Sequence, residues 1–277
     1  MPGQSDKSDV AVVIPCFNHG QYVGEAVASA LNQSLPPAEV VVVDDGSDEP
    51  GIKEVLAALP DEVEVIRQPN RGRSAARNAG AAAALDSDFV LMLDADDLLP
   101  QGSIASLHGA LAANPKAGFA FGRMRYFGDW SGEVPLPPFD PYAILYRPTT
   151  GWIGMLRREA FDSCGGYETS LEGYEDWDLV LGILAAGWQP AYVDEVVLEY
   201  RKHGQSSLAA DRDVHRRLYR TIRRRHRQFF SRAPELARQS NLPLHQRLIY
   251  RTFWAWRPVP ARVERAVYSR LFRPGAA

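Results

Sequence analysis

Cysteine is scarce: Cys16 and Cys164 are the only two in 277 residues. One pair supplies no disulfide framework, and such sparing use fits a reducing compartment. Long apolar runs are missing too, and none approaches the ~18 residues that a membrane-spanning helix needs. The opening MPGQSDKSD is polar and holds no signal-peptide core. These absences predict a cytoplasmic chain, soluble or held at a surface. No G-x-G-x-x-G follows the first apolar run, which argues against a dinucleotide oxidoreductase. Internal repeats and low-complexity tracts are lacking as well.

What is present is ample for one sizeable core with an appendage: 45% of residues are hydrophobic and 10% aromatic. The net charge of −3 conceals an asymmetry. Residues 211–277 hold 17 arginines, no lysine and four acids (Asp211, Asp213, Glu235, Glu264), a formal +13, so residues 1–210 carry −16. Opposite charge on two regions suggests two jobs. The expected division is a catalytic domain over 1–205 and an Arg-rich amphipathic helical extension over 206–277.

Along the first region, apolar runs alternate with helical spacings. DVAVVIP, AEVVVVDDGSD, EVEVIRQPN and DFVLMLDADD read as strands. YVGEAVASALNQ, IKEVLAAL and SAARNAGAAAAL read as helices between them. That order implies an α/β fold with a mostly parallel mixed sheet flanked by helices, Rossmann-like, and ligands beyond the carboxyl ends of the strands. Residues 127–150, rich in Pro and Gly, read as a loop over the site. GWIGMLRREAFDSCGGYE offers a strand, a short helix and a glycine turn. YEDWDLVLGILAAGW is a helix opening on acids, and PAYVDEVVLEYRKHG holds one or two short strands.

Polar residues collect at the strand ends: Pro15 to Asn18, Asp44 and Asp45, Asn70 to Gly72, and Asp94, Asp96 and Asp97. Carboxylates this close repel unless they lie in water or share a cation. Mg²⁺ and Mn²⁺ take oxygen ligands, commonly one or two carboxylates plus substrate phosphates. D-x-D alone is a weak signal, since a solvated acidic turn has the same pattern.

Six motifs in order, VVIPCFN, VVVDDGSD, NRGRSAARNAG, LMLDADD, GGYE and GYEDWDL, carry more. Over residues 9–205 the chain resembles the inverting glycosyltransferases of family 2, with the GT-A fold. The resemblance implies a metal-dependent transfer of sugar from a nucleoside-diphosphate donor, UDP by family habit, to an acceptor hydroxyl. The acceptor would be a carbohydrate, a lipid-linked molecule or another hydroxyl compound, in polysaccharide, glycolipid or glycoconjugate synthesis. It implies nucleotide contacts from Pro15, Phe17, Asn18, Asp45, Arg77, Asp94 and Ala95. Asp96 is similar to the metal ligand of the motif, for Mn²⁺ or Mg²⁺, and His203 resembles a histidine that some members use near the metal. Asp176 looks like the general base, with Glu175 or Asp178 as rivals.

Each residue also has a purely structural reading. Phe17 would pack beneath the first helix, Asp45 would cap a helix near Ser47, and Arg77 would pair with acids at a helix surface. Asp176 would be a helix-terminal acid favoured by the dipole, and His203 a turn histidine. Trp152 and Trp177 suit either the core or an acceptor platform, and Cys16 reads as a small buried filler. Two rival functions also stand. A sugar-phosphate nucleotidyltransferase expects a basic glycine-rich loop where PCFNHGQY stands. A non-catalytic nucleotide-sugar-binding protein needs no base at Asp176.

In the C-terminal region, HRRLYRTIRRRHRQFFSR reads as a helix with Leu218, Ile222, Phe229 and Phe230 near one face. PVPARVERAVYSRLF reads as another, with Val263, Val267 and Leu271 on one side. Basic amphipathic helices with Trp and Phe suit an anionic membrane surface, through 211–272 and at the inner face. Packing on the catalytic domain or a homodimer contact explains them equally. Nucleic acid is not expected, because no reading motif accompanies the charge.

Overall fold

The computed structural model describes residues 8–134, 136, 139–152, 154–203, 212–257 and 263. The N-terminal region alternates strands and helices: β1 (Val10–Cys16), α1 (Gly20–Leu31), β2 (Glu39–Asp44), α2 (Ile52–Ala57), β3 (Val63–Arg67), α3 (Arg73–Ala83) and β4 (Phe89–Met92). There follow α4 (Ser103–Ala113), β5 (Ala117–Gly128), β6 (Gly132–Val134), β7 (Met155–Arg157), α5 (Arg158–Ser163), α6 (Glu175–Ala185) and β8 (Gln189–Lys202). The sheet order is β3-β2-β1-β4-β7-β5-β6, with β8 alongside β5. β1, β2, β3 and β4 pair in parallel, as do β5 and β8, while β7 runs antiparallel between β4 and β5. The mixed, mostly parallel sheet expected from the strand–helix alternation is therefore present.

Both faces of the sheet are covered, which is why the strands read as continuous apolar runs. Val10, Val12 and Ile14 of β1 pack with the α1, α2 and α4 side, whereas Ala11 and Val13 face the other layer. On α1, Val23, Ala26, Val27 and Ala30 are buried, one stripe at helical spacing. The alanine-rich α3 needs small residues: a Cβ on Gly80 would sit 2.3 Å from Val13 Cγ1.

Four expectations need revision. The helix α4 was not foreseen. β8 is one 14-residue strand rather than short pieces, because it pairs along the whole of β5. The 127–150 stretch is not simply a loop over the site. It contains β6 and a 3-10 turn at Ala143–Leu145 whose side chains are buried against α6, and Trp177 donates its indole N–H to the Ile144 carbonyl at 2.7 Å. The helix expected over 215–232 breaks at His226 into α7 (Arg212–Arg225) and α8 (Arg227–Ser231).

Helices α9 (Ala233–Gln239) and α10 (Leu244–Ile249) and a π turn at Tyr250–Trp254 complete the described chain. Tyr219, Ile222, Phe229, Leu236, Tyr250 and Trp254 enter the same core as Trp177 and Leu181 of α6. Tyr219 stacks on Trp177 with centroids 5.9 Å apart. The apolar stripe of α7 and α8 is thus already covered by the first region. The helix expected at 258–272 lies outside the described residues, Val263 excepted. Among the described residues no helix is long and apolar enough to cross a membrane.

Candidate active site

The carboxyl ends of β1, β2 and β4, with the end of β8, border a cleft of about 480 Å³. Pro15, Phe17, Asp45, Asp94, Ala95 and Asp96 line it, as the sequence suggested, and Cys16, His19, Arg73 and Tyr200 join them. Phe17 is 44% exposed, so its ring faces the cleft rather than packing beneath α1. Cys16 is buried, and burial pushes its thiol up to about 11, as suits a filler.

Asn18 takes a left-handed φ of +55° and spends its side chain on the neighbouring loop. Its Oδ1 accepts from the N–H groups of Asp48 and Glu49, and its Nδ2 donates to Asp48. It therefore ties the β1 turn to the β2 turn. The turn near Ser47 is capped by Asp44, not Asp45: Asp44 accepts the Ser47 N–H at 2.8 Å. Asp45 holds the far wall of the cleft. Its Oδ1 accepts from Gln68 and the Arg71 N–H, and its Oδ2 from the Gly72 N–H at 2.8 Å. Gly72 has a φ of +85°, which lets the chain turn there into α3.

Arg77 is the hub of the site. It is buried, not a surface partner, and its guanidinium reaches three carboxylates from two chain segments. It donates to Asp94 at 2.7 Å, to Glu175 at 3.2 Å and to Asp176 at 3.3 Å, and lies over the Tyr167 ring. Burial works against the Asp94 charge, but Arg77 overcomes it and holds that carboxyl below its usual range. Glu175 is buried and is also met by Arg73 at 3.4 Å. The Asp176 side chain remains 35% exposed. Burial pushes its carboxyl up to about 6, against the pull of Arg77 and with repulsion from Glu175 and Asp94 adding to it. That value suits a group that takes a proton near neutrality.

On the other flank, Asp96 Oδ2 lies 2.7 Å from His203 Nε2, and His19 Nδ1 stands 3.9 Å from Asp96 Oδ1. Arg201 fixes this acidic turn. Its N–H bonds Asp97, its Nε bonds the Asp96 carbonyl, and its terminal nitrogen reaches Glu25 on α1. Asp97 is buried, and desolvation together with Asp94 pushes its carboxyl up to about 9. At neutral pH Asp97 is therefore protonated, and the charge of the turn rests on Asp94 and Asp96. Among the described residues no three or more His, Cys, Asp or Glu side chains form a ready cage for a metal. The Asp96–His203 pair gives one oxygen and one nitrogen donor, which fits a divalent ion whose other ligands come from a phosphorylated substrate.

The sequence profile described as glycosyl transferase family 2 matches residues 11–167. The chain belongs to that family. Among curated relatives of this family-2 glycosyltransferase, the minor teichoic acid biosynthesis protein GgaA of Bacillus subtilis is 30% identical, over 73% of this chain and 49% of its own length. The succinoglycan biosynthesis protein ExoU of Rhizobium meliloti is 32% identical over 65% of this chain and 58% of its own. The chain spans about half the length of the curated relatives it matches. Among solved structures, S. aureus TarS (residues 1–349) in complex with UDP-GlcNAc superposes with a TM-score of 0.60 at 17% identity, covering 86% of this chain and 69% of that one. The mannosyltransferase PcManGT of Pyrobaculum calidifontis, in complex with GDP-Man and Mn²⁺, gives 0.58 at 21% identity, covering 97% and 77%. At such identities the superpositions speak for the GT-A fold.

The family-2 match stops before α6, and there the C-terminal helices take hold of the acidic segment. Tyr174, which precedes α6 with a φ of +60°, shares a 2.9 Å hydrogen bond with His215 of α7. Arg217 pairs with Glu172 at 2.6 Å, and Arg225 pairs with Glu168. Asp178 accepts from Arg225 Nε at 3.0 Å and lies 2.8 Å from His226. Despite burial, His226 and Arg225 hold the Asp178 carboxyl below its usual range. Asp178 is thereby committed away from the cleft, which separates it from Asp176. Trp177 is core, whereas Trp152 is half-buried and donates to the Met92 carbonyl.

Proposed function

We propose that this glycosyltransferase moves a sugar from a nucleoside-diphosphate donor, UDP favoured, to an acceptor hydroxyl with inversion, using Mn²⁺ or Mg²⁺. The product would be a polysaccharide, glycolipid or other glycoconjugate, the kind of synthesis that the names of GgaA and ExoU describe. The observation that carries the reading is the Arg77 bridge. It links Asp94, on the donor cleft, to Asp176, the one acid of α6 that is both open and raised to about 6.

Pro15 and Phe17 offer apolar contact to the nucleotide base. Asp45 Oδ2 already accepts one N–H and keeps a lone pair for a base N–H. Asp94, with its charge maintained by Arg77, is placed for a ribose hydroxyl. A divalent ion held by Asp96 and His203 would stabilise the charge that builds on the departing diphosphate. Asp176 takes the proton of the attacking acceptor hydroxyl, and Arg77 and the Tyr167 hydroxyl orient its carboxylate. Glu175, buried between Arg73 and Arg77, positions the arginine rather than the substrate. With Asp94 and Glu175 both held by Arg77, one base and a single displacement are the proposed course, hence inversion.

The proposed division falls at residue 205, with the sugar-transfer domain before it and, after it, an Arg-rich helical extension that packs on α6 and offers its outward arginines to an anionic surface. Attachment of that surface to an anionic inner membrane face is tested by vesicle co-sedimentation, and homodimer formation by light scattering. For the donor, UDP, GDP, dTDP and CDP are screened by thermal shift with and without Mn²⁺. A nucleotide at a hundred times its Kd adds about 2.7 kcal/mol. Asp96→Ala should lose the Mn²⁺-dependent part of that shift, and Asp176→Asn should keep the shift but lose transfer. Transfer at the wild-type rate by Asp176→Asn would reject Asp176 as the base. Nucleotide binding without donor hydrolysis or transfer by the unaltered protein would favour the non-catalytic sensor.

A further inference from the structure

The hairpin between β5 and β6 carries the most exposed tryptophan among the described residues, Trp130, at 56%. A lone exposed aromatic needs no explanation, but Trp130 is not alone. Its ring lies 4.8 Å from Tyr126, and Tyr126 lies 5.7 Å edge-on from Tyr200, which lines the donor cleft. The Lys202 ammonium sits 4.6 Å from the Tyr126 ring and 4.5 Å from the Tyr200 ring. The result is a continuous aromatic shelf that leads from the wall of the cleft to solvent, with a cation along it.

The backbone holds this shelf in place. β5 pairs with β8 up to Gly128 and Lys202, and the Asp129 N–H donates to the Lys202 carbonyl at 2.9 Å. Gly128 has a φ of +91°, and a Cβ there would lie 2.7 Å from that same carbonyl oxygen. Gly132, at the other side of the turn, has a φ of +150°, and its absent Cβ would lie 3.7 Å from two indole carbons of Trp130. The indole thus lies against bare glycine at its edge and remains 56% exposed. β5 runs parallel to β8, so the hairpin emerges at the same sheet edge as Asp96 and His203.

We infer that Trp130, Tyr126 and Tyr200 form an acceptor subsite for a saccharide of more than one residue. A sugar ring has an apolar C–H face and a rim of hydroxyls. An amphipathic aromatic surface covers the first and leaves the second in water. The Lys202 ammonium supplies a donor beside it. Two ring-to-ring steps separate the cleft from the exposed indole, so an acceptor whose end sugar enters the cleft leaves an inner sugar over the shelf. This inference rests on the transferase reading and names its acceptor class.

The experiment uses the full chain and Trp130→Ala, which removes an exposed ring and should fold normally. The probes are neutral and uronate-bearing oligosaccharides of one to six residues, and separately phosphatidylglycerol vesicles. The expected result is binding of the longer oligosaccharides by the unaltered protein, about tenfold weaker in Trp130→Ala. Trp130→Phe should recover most of it, monosaccharides should be indifferent, and the UDP or GDP thermal shift should be unchanged. Equal oligosaccharide binding in both proteins overturns the subsite. So does the absence of saccharide binding at millimolar concentration, or a substitution that affects vesicle binding alone. Loss of nucleotide binding by the unaltered protein would instead sink the transferase reading, so the two failures are distinguishable.

Discussion

Arg77→Met removes a guanidinium that is 3% exposed and leaves three carboxylates facing one another. Breaking a buried ion pair by deleting one partner costs about 3–5 kcal/mol, because the other charge stays desolvated. Two of the three acids have recourse to water: the Asp94 side chain is 38% exposed and that of Asp176 35%. Glu175, at 5%, does not, and its remaining partner Arg73 is 3.4 Å away and more than half in solvent. The loss should therefore sit at the lower end, about 3 kcal/mol, or about 6–12 °C in Tm for a chain of this size. It should also depend on pH. Folded Asp176 titrates near 6 against an ordinary value of 3.8, so its charge opposes folding in full above pH 6, and that opposition fades as the pH falls from 6 towards 3.8. Without Arg77 that opposition grows, so the penalty of Arg77→Met should be larger at pH 8 than at pH 5. Adding Asp176→Asn should restore part of the stability at pH 8. Scanning calorimetry on the single and double variants at both pH values reads the cycle. A penalty independent of pH, with strictly additive substitutions, would refute the hub.

The same geometry sets three further outcomes. Transfer rate should climb through about pH 6 and be roughly tenfold lower at pH 5 than on the plateau, as for a single ionising base; a flat profile would exclude Asp176. Replacing that residue by Asn should cut the plateau rate by about 10²–10⁴ while nucleotide affinity holds. Asp178→Ala leaves His226 without its carboxylate and Arg225 with Glu168 alone, and should cost about 1–3 kcal/mol. Limited proteolysis should then release α7 and the later helices sooner, and unchanged protection would show that the pairing is idle. In the unaltered protein this contribution is present at neutral pH and is lost as the pH falls through the depressed pKa of Asp178.

Much of the donor side was legible in the sequence. A strand buried on both faces leaves an uninterrupted run of Val and Ile, and the first polar residue after it marks the sheet edge. That is how Asp45, Asp94 and Asp96 could be placed together from the chain alone. Arg77 was visible as a motif residue, but its three partners were not, since Glu175 and Asp176 lie nearly a hundred residues away. His19, Tyr200 and Arg201 were missed. Their one local signal was adjacency, His19 to the PCFN turn and the other two to His203. Trp130 left even less trace, because a glycine-flanked aromatic in a Pro- and Gly-rich stretch looks like any loop. The helix α4 passed unnoticed, with Ser103, Ile104, Leu107 and Leu111 buried along it. The basic end left packing, dimer and membrane open, because an amphipathic stripe says only that something covers it; in the structure Trp177 and its neighbours cover the stripe of α7 and α8.

The grip of α7 on residues 168–178 also bears on modularity. The match to the family profile ends at 167, and the proposed base lies in a stretch steadied by chain beyond that boundary. On the proposed roles, transplanting the matched portion alone onto another tail would carry over Pro15, Asp45 and Asp94 but neither His203 nor the acid assigned to activating an acceptor. Swapping tails among relatives should retune turnover before it alters donor choice.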